Sequence, residues 1–435
     1  MKRAVFSFLI FCLLAPSPAV AGAIHGEPLS LTDAYRLALK RSEDLAVKKE
    51  AVEEAEVHFM QALSGILPSG HYVITRKEQD SSGTSGSDTT TATSLRRRTP
   101  EQKFVFSQPI FSGFKEFAAM QGAAAEKKER EYEKRHAEET LFIDVVESFY
   151  AAKEAGDDAR ILGAIRRAME TRMKELRQRV GIGRSRQSEW QASLSDLKLL
   201  EADEEDARRT FILAKQLLEF YIGEPFRGEF AEEDALYSKK NLSDYLAKTE
   251  HRADVKALEE ARVFSDKKAQ AAWGGYLPTV KVDGNYYTER VGVQSGIDWD
   301  VLLTVDVPIF EGTKTAGDVK EAASRSQAAK KNLEKGRRLA ELDVRNAYSA
   351  FLFSQRRARI LTEAARAAEE NYLLNAEDYR RNLVNNLDVL DALRTDQDVS
   401  RKLNEARYQM KKDYWKLLVA AGEGPSFAEA SEGRH

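Results

Sequence analysis

Two aspartates near the end of the chain have the residue type and the spacing of a charged site. Asp388 and Asp391 open the last helical segment, just after a break at residues 382–386. Side chains three positions apart lie on the same face of a helix, so both carboxylates point in one direction. Such a pair attracts cations, but the same spacing also occurs on helices that only face water. The residues alone leave both interpretations open.

No arrangement typical of catalysis or metal binding accompanies these aspartates. The chain has six histidines, and no two of them have the helical spacing of metal ligands. Gly181 and Gly183 are too close together for a nucleotide-binding loop, and they follow a helical pattern instead of a strand. The formal net charge of −3 gives no electrostatic basis for binding nucleic acid. We predict no enzyme activity, no metal site, no cofactor and no nucleic acid partner.

The N-terminus has the features of a secretory signal peptide over residues 1–21. Two basic residues precede an apolar run at residues 4–15, and Ala19-Val20-Ala21 is a small-residue cleavage site. The only cysteine, Cys12, lies inside this segment, so we expect no disulfide in the mature chain. No later stretch is apolar enough to cross a bilayer as a helix. A membrane-embedded form of this chain would therefore have to insert as strands.

A stretch that occurs twice shows how the chain is organised. Residues 104–113 and 303–312 each run from alternating apolar residues through Pro-Ile-Phe-x-Gly into a helical pattern. Alternation indicates a strand, so each stretch is a strand-to-helix junction, where proline marks the end of the strand and glycine lets the chain change direction. The junction residues are Pro109 and Gly113 in the first copy, and Pro308 and Gly312 in the second.

The two copies belong to two homologous halves. Pro109 and Pro308 are 199 residues apart, and the same shift carries Glu189 to Asp388. The predicted boundaries are a first repeat at 22–223, a bridging equatorial segment at 224–245, a second repeat at 246–421 and a disordered tail at 422–435.

Each half contains a long helix that is followed by a break and a second helix. Residues 113–179 contain no proline and are rich in Ala, Glu, Lys and Arg, which predicts a helix on the order of 100 Å long. Gly181 and Gly183 form the break in the first half, and Asn382 stands where the first half has Gly183, at a position expected to be left-handed. Helices of this length predict a coiled-coil column. One further helical pattern covers residues 31–64.

Four strands are predicted, two in each half: residues 71–76, 102–111, 280–288 and 299–309. In the last strand, one face is apolar and the other carries Asp300, Thr304 and Asp306. This alternation fits an outer-membrane barrel strand, and it fits a half-buried strand of a soluble sheet equally well. The apolar face, which would contact lipid in a barrel, consists of Trp299, Val301, Leu303, Val305 and Val307.

Four strands are too few to close a membrane barrel, for which about eight is the minimum. Open strand edges are not tolerated in lipid, so the chain would have to share its barrel with copies of itself. Two chains would supply eight strands around a filled interior, and three would supply about twelve strands and a lumen.

The mature chain resembles the TolC-like outer-membrane efflux proteins, also called outer membrane factors, over essentially its whole length. The resemblance rests on the internal repeat, the Leu-Pro before a strand, the two Pro-Ile-Phe-x-Gly junctions, and Tyr379 followed by Asp388-Val389-Leu390-Asp391-Ala392. It implies a mainly α fold with β: a homotrimer with a twelve-stranded β-barrel, four strands per chain, continued by a long α-helical coiled-coil tunnel. The implied function is the passive exit duct of a tripartite efflux or type I secretion system. The implied location is the outer membrane of a Gram-negative cell, in contact with its lipid and with the tunnel in the periplasm. The implied partners are a periplasmic adaptor protein and an inner-membrane transporter.

The resemblance also implies roles for residues at the helix breaks. Asp388 and Asp391 match the family's ring of aspartates at the periplasmic opening, and Tyr379, Ser188 and Glu189 match the contacts that hold the tip closed. Val384 departs from the pattern, which has an arginine there; Arg380, Arg381 or Arg184 would have to replace it. A second hypothesis, a soluble periplasmic coiled-coil adaptor or scaffold without a pore, stays open at the level of sequence.

Overall fold

The computed structural model describes residues 28–78, 98–231, 240–291 and 294–424. The predicted signal peptide at 1–21 and most of the predicted tail at 422–435 lie outside these ranges. The described residues are mainly α-helical, with one four-stranded sheet. Their elements, in chain order, are α1 Leu31–Arg41, α2 Glu43–Ser64, β1 Ser69–Glu78, β2 Arg98–Ser112, α3 Lys115–Gly181, α4 Gln187–Ile222, α5 Leu242–Leu246, α6 Ala253–Trp273, β3 Thr279–Arg290, β4 Trp299–Asp306, α7 Lys314–Arg380 and α8 Asn386–Ala420.

The two long helices have the same length and the same place in each half. Helices α3 and α7 contain 67 residues each, which at 1.5 Å per residue is about 100 Å. They begin at Lys115 and Lys314 and end at Gly181 and Arg380, so both ends differ by 199 positions. The first residues of α4 and α8, Gln187 and Asn386, keep the same difference. The predicted internal repeat is therefore present in the helices themselves.

The first helical pattern is interrupted, contrary to the prediction of one helix over residues 31–64. Helix α1 ends at Arg41, and Ser42 has an extended backbone before α2 begins. The Ser42 hydroxyl accepts a hydrogen bond from the Leu45 amide at 3.3 Å, and Ser30 caps α1 in the same way through the Asp33 amide at 3.0 Å. Serine at both helix starts satisfies amides that have no partner within the helix, so Ser42 begins a second helix.

The sheet is antiparallel throughout, in the order β1-β2-β3-β4. Strand β2 is longer than predicted and contains Pro109, three residues before its end. The pairing with β3 shifts register between Pro109 and Phe111, and a proline without an amide proton is accommodated at such an irregularity. Strand β4 is shorter than predicted and ends at Asp306, before Pro308. Val307 therefore lies just beyond the strand.

Buried apolar residues form clusters at matching places in the two repeats. The larger cluster joins α1, α3 and α4 and includes Val145 and Leu218. Its counterpart joins α5, α7 and α8 and includes Val344 and Leu417, which are 199 positions further along. Part of the predicted bridging segment 224–245 contributes to these clusters through Phe226 and Tyr245, while residues 232–239 lie outside the description.

Both strand-to-helix junctions use a glycine in the left-handed region. Gly113 has φ 69° and Gly312 has φ 66°, and the long helix begins two residues later in each case. A Cβ atom at Gly113 would lie 2.4 Å from the carbonyl oxygen of Gly274, whereas a Cβ atom at Gly312 would meet no atom within 4 Å. The first junction thus needs glycine for space and for conformation, and the second for conformation alone.

Within the described ranges, no helix combines the length and the apolar character that a membrane crossing requires.

Candidate functional site

The turns after α3 and α7 have the same backbone structure. Gly183 has φ 74° and Asn382 has φ 62°, as their shared position in the repeats predicts. In the first turn the Arg184 amide donates to the Arg179 carbonyl at 2.8 Å, and in the second the Leu383 amide donates to the Asp378 carbonyl at 2.9 Å. This is the Schellman arrangement of a helix end. Gly181, also predicted in the turn, is the last residue of α3.

Tyr379, at the end of α7, packs against two arginines of α3. Its ring centroid is 4.6 Å from the guanidinium carbon of Arg172 and 4.4 Å from that of Arg179. Arg179 also donates to the Asn382 side-chain oxygen at 3.2 Å and lies 3.5 Å from the Tyr379 carbonyl oxygen. Only 6% of Tyr379 is exposed. We call Arg172, Tyr379 and Arg179 the arginine clamp.

A buried polar chain extends the arginine clamp to the other two helices of the tip. Arg172 donates twice to the Asn386 side-chain oxygen, at 3.1 and 2.8 Å, and the Asn386 amide donates to the Ser193 hydroxyl at 2.8 Å. All three residues are buried, and Arg172 is 9% exposed. Burial lowers the pKa of Arg172, and its hydrogen-bond acceptor, a neutral amide, does not offset that effect as a carboxylate would. These hydrogen bonds connect α3, α8 and α4 to one another.

The two candidate ring residues are exposed on the first turns of α8, and each has a local partner. The Asp388 carboxylate accepts from the Asn385 amide at 3.0 Å, and the Asn385 side chain accepts from the Asp388 amide at 3.1 Å, which together form a capping box. Asp391 lies 3.5 Å from Arg394, which also donates to Asp196 of α4. The carboxylates share one face, as their spacing predicts, and Asp391 has a cation beside it.

The structure does not bring Tyr379 together with Ser188 and Glu189 through a hydrogen bond. The Tyr379 hydroxyl is buried and has no hydrogen-bond partner among the described residues, while Ser188 is exposed and Glu189 half-buried.

The arginines that contact the Tyr379 ring come from the first repeat. Arg380 and Arg184 are exposed, and Arg381 pairs with Glu377 of its own helix. Arg172 and Arg179 instead contact Tyr379, although they lie about 200 positions away. Sequence reasoning missed them. The available signal was their separation of seven residues, which places both on one face of α3.

The exposed apolar face of the sheet is the second candidate site. Trp299, Val301, Leu303 and Val305 are between 56% and 66% exposed, and Val307 beyond the strand is 56% exposed. The pairing places Tyr72, Phe104, Tyr286 and Trp299 in one row across all four strands.

The opposite face of the sheet is largely polar. Asp300 accepts from the Asn285 amide at 2.7 Å and from the Tyr287 hydroxyl at 2.8 Å. Ser107 donates to Asp283 at 2.5 Å, across the β2–β3 pairing. Leu302 is an exception on this face, between Asp300 and Thr304.

The described part of the chain contains no group of three His, Cys, Asp or Glu side chains arranged to hold a metal ion.

Comparison with known proteins gives one consistent result. Residues 247–423 match the sequence model of the family "Outer membrane efflux protein". The chain is 23% identical to outer membrane protein TolC of Vibrio cholerae over 320 residues, which are 68% of this chain and 72% of that protein. It is 21% identical to the proteases secretion protein PrtF of Dickeya chrysanthemi over 415 residues, 91% of this chain and 88% of that protein.

The fold agrees with this relationship. The crystal structure of the outer membrane protein VceC from Vibrio cholerae superimposes with a TM-score of 0.78 at 17% identity, covering 91% of this chain and 96% of that one. Together with the family match over residues 247–423 and the chain-long similarity to PrtF, this shows that the chain is similar to outer membrane efflux proteins in sequence and in fold.

Proposed function

We propose that the chain is the outer-membrane exit duct of an efflux or type I secretion system and works as a homotrimer. One observation supports this most directly: the sheet has an exposed apolar face, and its edge strands β1 and β4 are unpaired among the described residues. An open edge in lipid leaves backbone groups without hydrogen bonds. Pairing β4 of one copy with β1 of the next removes the edges, and three copies supply twelve strands and a lumen.

Exposed aromatic residues lie at one end of the strands and just beyond the other. One end carries the row that contains Trp299, and Phe310, four positions after the end of β4, is 87% exposed. Outer-membrane barrels have aromatic residues at both edges of their apolar band, so this arrangement supports a strand that crosses such a band.

The tip supplies the proposed gate. In a trimer, three copies of Asp388 and Asp391 bring six carboxylates to one narrow opening, which favours cations. We propose that Tyr379 holds the tip closed within each chain, and that Ser188 and Glu189 contribute contacts between chains. The turns at Gly183 and Asn382 carry these residues to the end of the tunnel.

The partners follow from the position of the duct. Helices of about 100 Å extend from the sheet to the tip, so the tip lies far into the periplasm. A periplasmic adaptor protein and an inner-membrane transporter are the proposed partners there. PrtF is named for protease secretion and other family members for efflux, and either cargo class is compatible with a polar lumen.

The soluble adaptor hypothesis makes an opposite prediction for the sheet. A charge at Leu303, on the apolar face, should cost about 2–4 kcal/mol if that face meets lipid, and little if it meets water. Thr304 is its matched control, because it points to the polar face of the same strand.

The test compares Leu303→Arg with Thr304→Arg in cell envelopes. We expect wild type and Thr304→Arg in the outer-membrane fraction as trimers, and a large loss of assembled trimer for Leu303→Arg. Recovery of all three proteins as soluble monomers without detergent would support the adaptor hypothesis and refute the duct.

A further inference from the structure

We propose that the tip of each chain is held closed by the arginine clamp, in which Arg172 and Arg179 of the first repeat grip the ring of Tyr379, and that the Tyr379 hydroxyl has no part in closure. This inference rests on the proposed function, because it assigns the residues that set the gate of that channel.

The position of the clamp makes it a natural closing contact. Tyr379 is the penultimate residue of α7. Met169 and Met173, which precede the clamp residue Arg179 on α3, share an apolar cluster with residues of α8. Beyond Tyr379 only the turn remains, and Arg179 holds that turn through Asn382. Any outward movement of the α7–α8 tip away from α3 must therefore separate the ring from both guanidinium groups.

The chemistry of the clamp lies in the ring face. A guanidinium group over an aromatic ring is attracted by the ring's negative face, and the attraction grows when both groups are removed from water. Tyr379 has two such groups near its ring, with their guanidinium carbons 4.6 and 4.4 Å from the ring centroid. Its hydroxyl is buried without a hydrogen-bond partner among the described residues, so that oxygen opposes closure if anything.

The clamp also explains how this chain closes without an arginine at position 384. Arginine keeps its charge at neutral pH, and its planar group can stack and donate hydrogen bonds at once. Arg179 does both, since it stacks on Tyr379 while donating to Asn382. The cation at the tip is thus provided by α3 of the same chain, because valine at position 384 carries no charge.

The experiment compares four substitutions in the full mature protein, reconstituted in planar bilayers. Arg179→Gln removes the stacked cation and keeps a polar side chain of similar reach. Tyr379→Phe removes only the hydroxyl. Arg177→Gln, at an exposed position on the same helix, is the control, and Glu189→Gln tests the proposed contact between chains.

We expect Arg179→Gln to raise the open probability about tenfold, which corresponds to the loss of one desolvated cation–π contact. Tyr379→Phe and Arg177→Gln should remain within about twofold of wild type, since both keep the two stacked faces. A rise with Tyr379→Phe equal to that with Arg179→Gln would overturn the proposal, because it would assign closure to the hydroxyl. A rise in open probability with Glu189→Gln and with no other variant would also overturn the proposal.

A second measurement separates this inference from the proposed function. Hydrogen exchange of the amides in residues 379–390, in detergent, reports opening of the tip whether or not current flows. Faster exchange in Arg179→Gln than in Arg177→Gln supports the clamp, whether or not wild type carries current. An absence of current from wild type would refute the duct and leave the clamp standing. Equal exchange in the two variants, with channels present, refutes the clamp alone.

Discussion

At the scale of single residues, Asp388 has two roles that a simple substitution would confuse. Its carboxylate is exposed toward the proposed opening, and the same carboxylate completes the capping box of α8. Replacement by alanine would remove both, at a stability cost of about 1 kcal/mol for the cap. Glutamine is the informative replacement, because its side-chain oxygen can still accept from the Asn385 amide while the charge is gone.

The first prediction concerns that charge. The pair Asp388→Gln and Asp391→Asn should weaken cation preference and the block of current by multivalent cations, with little change in trimer stability. Reversal potentials in a salt gradient measure the preference, and thermal unfolding in detergent measures stability. Unchanged selectivity in a stably assembled variant would mean that the two aspartates lie on a helix face that only meets water.

The second prediction concerns Arg394. This residue lies 3.5 Å from Asp391 and also binds Asp196, so it offsets part of the negative charge near the proposed ring. Arg394→Gln should therefore strengthen cation preference, the opposite direction to the aspartate variants. The same reversal potentials measure it. An unchanged or weaker preference would show that Arg394 lies outside the field that ions experience.

At the scale of elements, the two junction glycines provide a matched comparison. Gly312→Ala introduces only left-handed strain, about 1–2 kcal/mol, since no atom lies within 4 Å of the new Cβ. Gly113→Ala adds an overlap with the Gly274 carbonyl oxygen at 2.4 Å. We expect Gly113→Ala to lower the free energy of unfolding by at least about 3 kcal/mol. Equal effects in thermal unfolding would contradict the close approach of Gly113 to Gly274.

A charged cluster joins four helices near the middle of the molecule and predicts a pH dependence. Arg252 donates to Asp254 at 3.0 and 2.8 Å, to the Ala420 carbonyl at 3.0 Å and to Asp343 at 3.3 Å. Burial pushes the pKa of Asp254 up, but the hydrogen bonds from Arg252 lower it overall. The Glu139 carboxylate, 3.7 Å from the ring of His136, raises the pKa of His136 against the effect of burial.

The signs of these shifts define where the cluster stabilises the fold. The raised pKa of His136 contributes stability below the unfolded value of about 6.5, and this is lost as pH rises through the folded value. The lowered pKa of Asp254 contributes stability above about 4, and this is lost as pH falls through its folded value. Melting temperature should therefore decline from about pH 6.5 upward, and His136→Gln should flatten that decline. An identical alkaline decline in the variant would exclude His136 as its source.

Sequence reasoning predicted the elements better than the contacts between them. The shift of 199 residues, found at the two prolines, also relates the ends of α3 and α7 and the left-handed Gly183 and Asn382, because a duplicated local sequence specifies a duplicated local structure. The break at Ser42 was missed because the apolar pattern continues through it and only a hydroxyl cap marks the interruption. The arginine clamp was missed for a different reason: its residues are about 200 positions apart, and no local pattern records which helix faces will meet.

At the scale of the whole molecule, a single chain leaves apolar surface and strand edges exposed. The sheet exposes its apolar face and both edge strands, and α4 and α7 expose large apolar side chains such as Phe220 and Phe353. Exposed apolar surface on this scale marks contacts with lipid or with other chains. Association around a threefold axis would cover the helices and close the sheet, which leaves the polar sheet face toward a lumen and the apolar face toward lipid.

The most direct test of this account is the current through single particles of the mature protein in a planar bilayer. We predict stepwise, cation-selective conductance from detergent-extracted trimers, with steps that become larger or more frequent when the arginine clamp is removed by Arg179→Gln. Absence of any step from properly assembled wild-type and Arg179→Gln trimers would contradict the claim that three chains enclose a continuous path across the outer membrane.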